Sequence, residues 1–147
     1  MDILIAAICD AANDSNGNLN MLGVFDTVYA AQFPAVHLKC VMVLRIVFSK
    51  NEEGAHEIRL TIADDDGHPL MNPIPLQVEV RVPEEAMFVT TNLVVHLQQL
   101  KFERAGHYSI NISGDGRMKA TLPLLVKPLP AQPGTTSSAQ ISGSPVA

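Results

Sequence analysis

Residues 56–70 read HEIRLTIADDDGHPL, and the first half of that stretch decides the fold class. Ile58, Leu60 and Ile62 fall on one side of an extended chain, with Glu57, Arg59 and Thr61 on the other. A period of two belongs to a strand with one buried face. The second half asks a chemical question, because three aspartates, a glycine, a histidine and a proline follow the strand. A calcium loop of the EF-hand kind spaces its oxygen donors at alternate positions and closes on a glutamate at the twelfth. Here the aspartates are consecutive, and Pro75 stands twelfth from Asp64, where it offers no side-chain donor. Asp-Gly between alternating apolar runs is a hairpin signal, with Gly67 supplying a positive φ. The stretch reads as a turn, and a cation loop of Asp64, Asp65 and Asp66 is the lesser alternative.

The same alternation recurs outward from there. LQVEVRV (76–82), VTTNLVVHL (89–97), HYSINIS (107–113) and KATLPLLV (119–126) each put apolar residues on every second position. No segment carries a sustained 3.6-residue stripe. Turn signals fall between the runs at Asn16-Gly17, Glu53-Gly54, Asp66-Gly67, Pro83-Glu84, Ala105-Gly106 and Asp115-Gly116. About eight strands spaced in this way make an antiparallel two-sheet β-sandwich over residues 1–126. A small β-barrel is the alternative. After Val126 the composition turns to Pro, Ser and Thr, so residues 127–147 read as a disordered tail.

The alternation fails in the N-terminal third. In LKCVMVLRIVF (38–48), Leu38, Cys40, Met42, Leu44, Ile46 and Phe48 form one face. The other face still carries Val41, Val43 and Val47. ILIAAIC (3–9) is apolar on both sides, and Leu22 and Val24 add to the excess. A one-sided sheet should be polar outside, so these strands call for a cover on both faces. The expectation is a second chain meeting Val41, Val43, Val47, Leu22 and Val24, with the TVYAAQFPAVH loop (27–37) as competitor.

Composition narrows the function classes. The 147 residues carry a net charge of -5 and dispersed cations, which disfavours nucleic acid. The apolar run Ile3–Cys9 is short and follows Asp2 rather than a basic segment, so it reads as a strand and not a signal peptide. No run approaches the ~20 residues that span a bilayer. Cys9 and Cys40 lack paired spacing and read as free buried thiols of a cytoplasmic protein. The five histidines show no zinc-binding spacing. His56 and His107 open corresponding hairpins, which raises an approach of the two rings, although a solvated strand start is the plainer reading. No nucleophile elbow or phosphate-cradling glycine loop is present, so no enzyme and no cofactor are expected.

Two resemblances add to this. ERAGHYSI (103–110) is similar to the corner of immunoglobulin-like domains. That likeness implies a Tyr108 hydroxyl bonded back to the upstream backbone, with Gly106 beside it. Ile110 stands where an antibody-type domain would carry cysteine. AAICDAAN, GNLNMLGVFDTVYAAQFPAVH and VLRIVFS resemble a small bacterial family known as a domain of unknown function. The resemblance covers most of residues 1–126 and implies a cytoplasmic β-sandwich without a catalytic residue to carry over. The expected function is a non-enzymatic interaction module that self-associates or binds a protein partner through its N-terminal strands. The alternatives are a small-molecule or carbohydrate-binding sandwich, a hydrolase with a loop-built site, and a cation-dependent module. The absence of Trp argues against sugar platforms.

Overall fold

Strands with one apolar face can leave water only by facing another such layer, and this chain does so twice over. The computed structural model describes residues 1–130. They form β1 (Asp2–Ser15), β2 (Asn18–Phe25), β3 (Thr27–Ala30), β4 (Ala35–Ser49), β5 (Gly54–Asp64), β6 (Ile74–Val80), β7 (Phe88–Phe102), β8 (Gly106–Gly114) and β9 (Arg117–Pro128). One sheet has the order β2-β1-β4-β7, the other β3-β9-β8-β5-β6. The fold is therefore an all-β two-sheet sandwich and not a barrel. Nine strands form, rather than about eight, because LNMLGVFDTVYA breaks at Asp26. Its halves, β2 and β3, join different sheets. All pairings are antiparallel except β3 with β9, which run parallel from Thr27↔Leu125 to Ala30↔Pro128.

Between the sheets lie Met42, Leu44, Ile46 and Phe48 of β4, facing Ile58, Leu60 and Ile62 of β5, Ile110 and Ile112 of β8, and Leu124 of β9. All are fully buried, and each such side chain contributes roughly 1.5–3 kcal/mol relative to exposure. The tyrosine corner forms as the resemblance implies. Tyr108 Oη donates to the Arg104 carbonyl at 2.6 Å, its ring stands edge-on to Phe102 at 5.0 Å, and Gly106 takes φ 147. The sandwich is immunoglobulin-like in this corner and in its two-sheet layering.

Leu38 departs from the expected face. It is exposed, because the inward-facing parity of β4 and β7 flips together at a step that leaves one residue of each strand unpaired. The pairing skips Leu38 between His37↔Leu100 and Lys39↔Gln98, and Gln99 of β7 sits at φ 54. Beyond that step Leu100 and Phe102 turn into the core and Leu38 turns out. β9 runs to Pro128, and Leu129 N–H bonds to the Ala30 carbonyl at 2.8 Å. Most of the expected tail, residues 131–147, lies outside the described residues.

Candidate functional site

The N-terminal strands find their outer cover within the chain itself. β1 is shared between two neighbours: Asp2 to Cys9 pair with β4, and Ile8 to Ser15 pair with β2. Past Cys9 the β1–β2 hairpin leaves β4 and folds back over the outer face of its own sheet. Gly23 marks the bend, with φ +71 and Asp10 so close that a Cβ would lie 2.3 Å from Asp10 Oδ2. The Cys9 thiol bonds the Ala11 carbonyl at 3.4 Å across the same bend.

The hairpin tip is the expected Asn16-Gly17 turn, with φ 53 and 85, the double positive that a type I′ turn requires. Gly17 N–H donates to Asp14 Oδ1 at 2.8 Å. Two side chains of the sheet below hold the tip. Arg45 of β4 and Asn92 of β7 both donate to the Gly17 carbonyl, at 3.2 and 3.1 Å. Asn92 also donates to Asp14 Oδ2 at 3.2 Å and accepts from Arg45 at 2.8 Å. Under this clamp Ala12 and Leu19 pack on Cys9, Val41, Val43 and Val94 as a second apolar cluster.

This arrangement corrects the expected contact with a second chain. Val41 and Val43 are covered by this chain's own hairpin, with Val43 at 0 % exposure, and the 27–37 loop is not their cover. Val47 is half-buried beside Asp2 and Thr90. Leu22 and Val24 alone of the five remain open to solvent, at 71 % and 58 %. Leu22 pairs with Ala11, and Asn20 pairs with Asn13, so these four share the face turned away from the clamp. Asn20 donates to Asn13 at 3.1 Å across it. A shallow concavity of about 400 Å³ lies here, lined by Ala11, Ala12, Asn13, Asn20, Met21 and Leu22. One signal could have revealed the fold-back: an isolated glycine, Gly23, inside a strand pattern.

The aspartate stretch is the turn that the sequence predicts. Gly67 takes φ +86, and its N–H bonds the Asp64 carbonyl at 3.0 Å. Asp64 Oδ1 accepts from the backbone N–H groups of His68 and Asp66 at 2.8 and 3.0 Å, and these bonds hold its carboxyl below the usual range. Donor atoms of Asp64, Asp66 and His68 come within 4.8 Å of one another, which is the cation loop's best geometry. Arg104 already brings its guanidinium to 3.6, 3.5 and 3.3 Å from Asp64, Asp65 and Asp66. The positive charge that these carboxylates gather is the chain's own.

His56 does not approach His107. β5 and β8 are antiparallel, with Ile58↔Gly114 at one end and Asp64↔Tyr108 at the other, so the two histidines sit at opposite ends of the sheet. His56 lies instead against the β8–β9 turn. Its Nδ1 is 2.6 Å from Asp115 Oδ2, and its Nε2 is 2.6 Å from the Glu52 carbonyl. Asp115 Oδ1 accepts from Glu57 N–H at 2.9 Å. The thiols Cys9 and Cys40 are unpaired and buried, one in the outer cluster and one in the inner core. Burial pushes Cys9 up and Cys40 up to about 11. No helix among the described residues is long and apolar enough to cross a membrane.

Comparison with known proteins adds a family. The model of DUF6941, a family of unknown function, matches residues 4–127, and the chain belongs to that family. A search of curated proteins found no match. Among solved structures, an immunoglobulin-like protein from Pseudomonas aeruginosa (PA1606) is similar at 11 % identity and a TM-score of 0.33, over 81 % of this chain and 90 % of that one.

Proposed function

We propose that this member of DUF6941 is a non-enzymatic protein-binding module whose contact surface is the outward side of the β1–β2 hairpin. The observation that carries the reading is the exposure of Leu22 and Val24 on an edge strand whose hairpin tip Arg45 and Asn92 clamp. Apolar side chains fixed in water gain by meeting an apolar partner. Covering either would contribute on the order of 1–3 kcal/mol. The outer edge of β2 also offers unpaired N–H and C=O groups to an extended segment. The two clusters of titratable groups support a role without catalysis, since His56, Asp115 and Asp64 are each engaged in holding backbone. The cytoplasm, a reducing compartment, suits two thiols on opposite faces of one sheet.

A photocrosslinker at position 22 tests the reading. In cells it should yield a discrete protein adduct that Val24→Asp abolishes. The same group at Met118, also exposed but on the other sheet, should yield none. Equal yields at both positions, or an adduct indifferent to Val24→Asp, contradict it.

A further inference from the structure

The chain leaves the sandwich through KPLPAQP, residues 127–133. Val126 is the last residue of β9 turned into the core, and Lys127, Pro128, Leu129 and Pro130 are all exposed. Leu129 leaves an apolar side chain 54 % in water. Its backbone is nevertheless fixed, because its N–H bonds the Ala30 carbonyl at 2.8 Å where the β3–β9 ladder ends. Pro128 and Pro130 have no N–H with which to extend that ladder. Lys127 makes no ion pair among the described residues, and no acidic residue follows it in the sequence. Ala131, Gln132 and Pro133 continue the segment beyond the described residues.

Spacing gives this segment its chemistry. Proline holds φ at about -65°, close to polyproline II, a helix of three residues per turn that rises ~3.1 Å per residue. In that conformation Lys127, Pro130 and Pro133 fall on one edge, a cation followed by two pyrrolidine rings over roughly 19 Å. Leu129 and Gln132 fall on the next edge, so each of those two rings has a side chain beside it. A run whose backbone is restricted before binding loses little entropy when it docks. We propose that residues 127–133 are the ligand of a partner domain of the SH3 kind, with a groove lined by aromatic rings and a carboxylate at one end. The rings take Leu129-Pro130 and Gln132-Pro133, and the carboxylate takes the Lys127 ammonium. The cation also fixes direction. A charge stands before the prolines and none stands after them, so an acidic pocket at one end of the groove accepts the segment one way round. The contact lies at the end of β9, in the sheet that does not hold the β1–β2 hairpin, and it stands or falls independently of the hairpin's surface.

Nuclear magnetic resonance titration of the isotope-labelled full chain, with a panel of SH3 domains whose grooves end in an acidic pocket, tests the assignment. At least one domain should bind saturably, with shifts centred on residues 127–133. Pro130→Ala with Pro133→Ala should abolish that binding, and Lys127→Ala should weaken it severalfold, each with the circular dichroism of wild type. Pro145→Ala, outside the segment, and Leu22→Asp, on the hairpin, should bind as wild type does. Should a variant misfold, a peptide of residues 126–134 decides in its place. It should displace the chain from the groove, and the same peptide with both alanines should not. A panel that leaves the spectrum unchanged, shifts that fall on the sandwich instead, or binding that survives the loss of both prolines would each overturn the proposal.

Discussion

His56 is held at both ring nitrogens, and the consequence is a pH dependence of known sign. The Glu52 carbonyl bond, and after it the Asp115 carboxylate, raise its pKa above 6.5. The His56 bond, with the Glu57 N–H, holds Asp115 below 3.8. A raised histidine contributes stability that is fully present below 6.5 and lost as pH climbs through the folded value. A depressed aspartate contributes stability present above 3.8 and lost as pH falls through its folded value. The pair therefore stabilises most between those two ordinary values. His56→Gln should cost most in urea unfolding near pH 5 and progressively less towards alkaline pH. A cost that is flat across pH would contradict the pairing. In the sequence His56 stands out only as the start of a strand. Its partner comes from a turn far along the chain, and the antiparallel direction of β5 and β8, which separates it from His107, is a tertiary choice. Gly67 and Tyr108 were legible because a left-handed turn position and a tyrosine corner are local devices.

At the scale of elements, the β1–β2 hairpin resolves the apolar excess of β4. The alternation of LKCVMVLRIVF correctly demanded a cover on both faces, since Val41 and Val43 could not face water. It could not say whose atoms cover them, because the cover depends on a bend at Gly23 and a clamp from residues 45 and 92. The same limit misplaced Leu38, whose face flips at a step where neither it nor Gln99 of the neighbouring strand is paired. Val43→Asp separates the two possible sources of the cover. In a contact between chains it would release a folded monomer. Beneath a hairpin of its own chain, the carboxylate is buried without a partner, at a cost on the order of 3–5 kcal/mol. The melting temperature should fall sharply whatever the protein concentration. A folded variant that melts as wild type does would show that Val43 is not beneath the hairpin.

As a whole molecule, the protein is a two-sheet sandwich that covers its own N-terminal face with the β1–β2 hairpin. The two-sheet layering was readable from period-two runs, because one-faced strands have few ways to bury themselves. The nine-strand count, the parallel β3–β9 pair and the outward set Leu22 and Val24 were not, since each depends on where the chain changes sheets. Cys9 reports on the self-covered face directly. It is fully buried beneath the hairpin that also covers Val41 and Val43, and Cys40 in the inner core serves as reference. The rate of thiol modification at Cys9 should be measured in dilute and in concentrated protein at one pH. A cover supplied by the same chain predicts one slow rate at every concentration, accelerated by Leu19→Ala while Cys40 stays unchanged. A Cys9 that reacts quickly when dilute and slowly when concentrated would mean that a second chain supplies the cover.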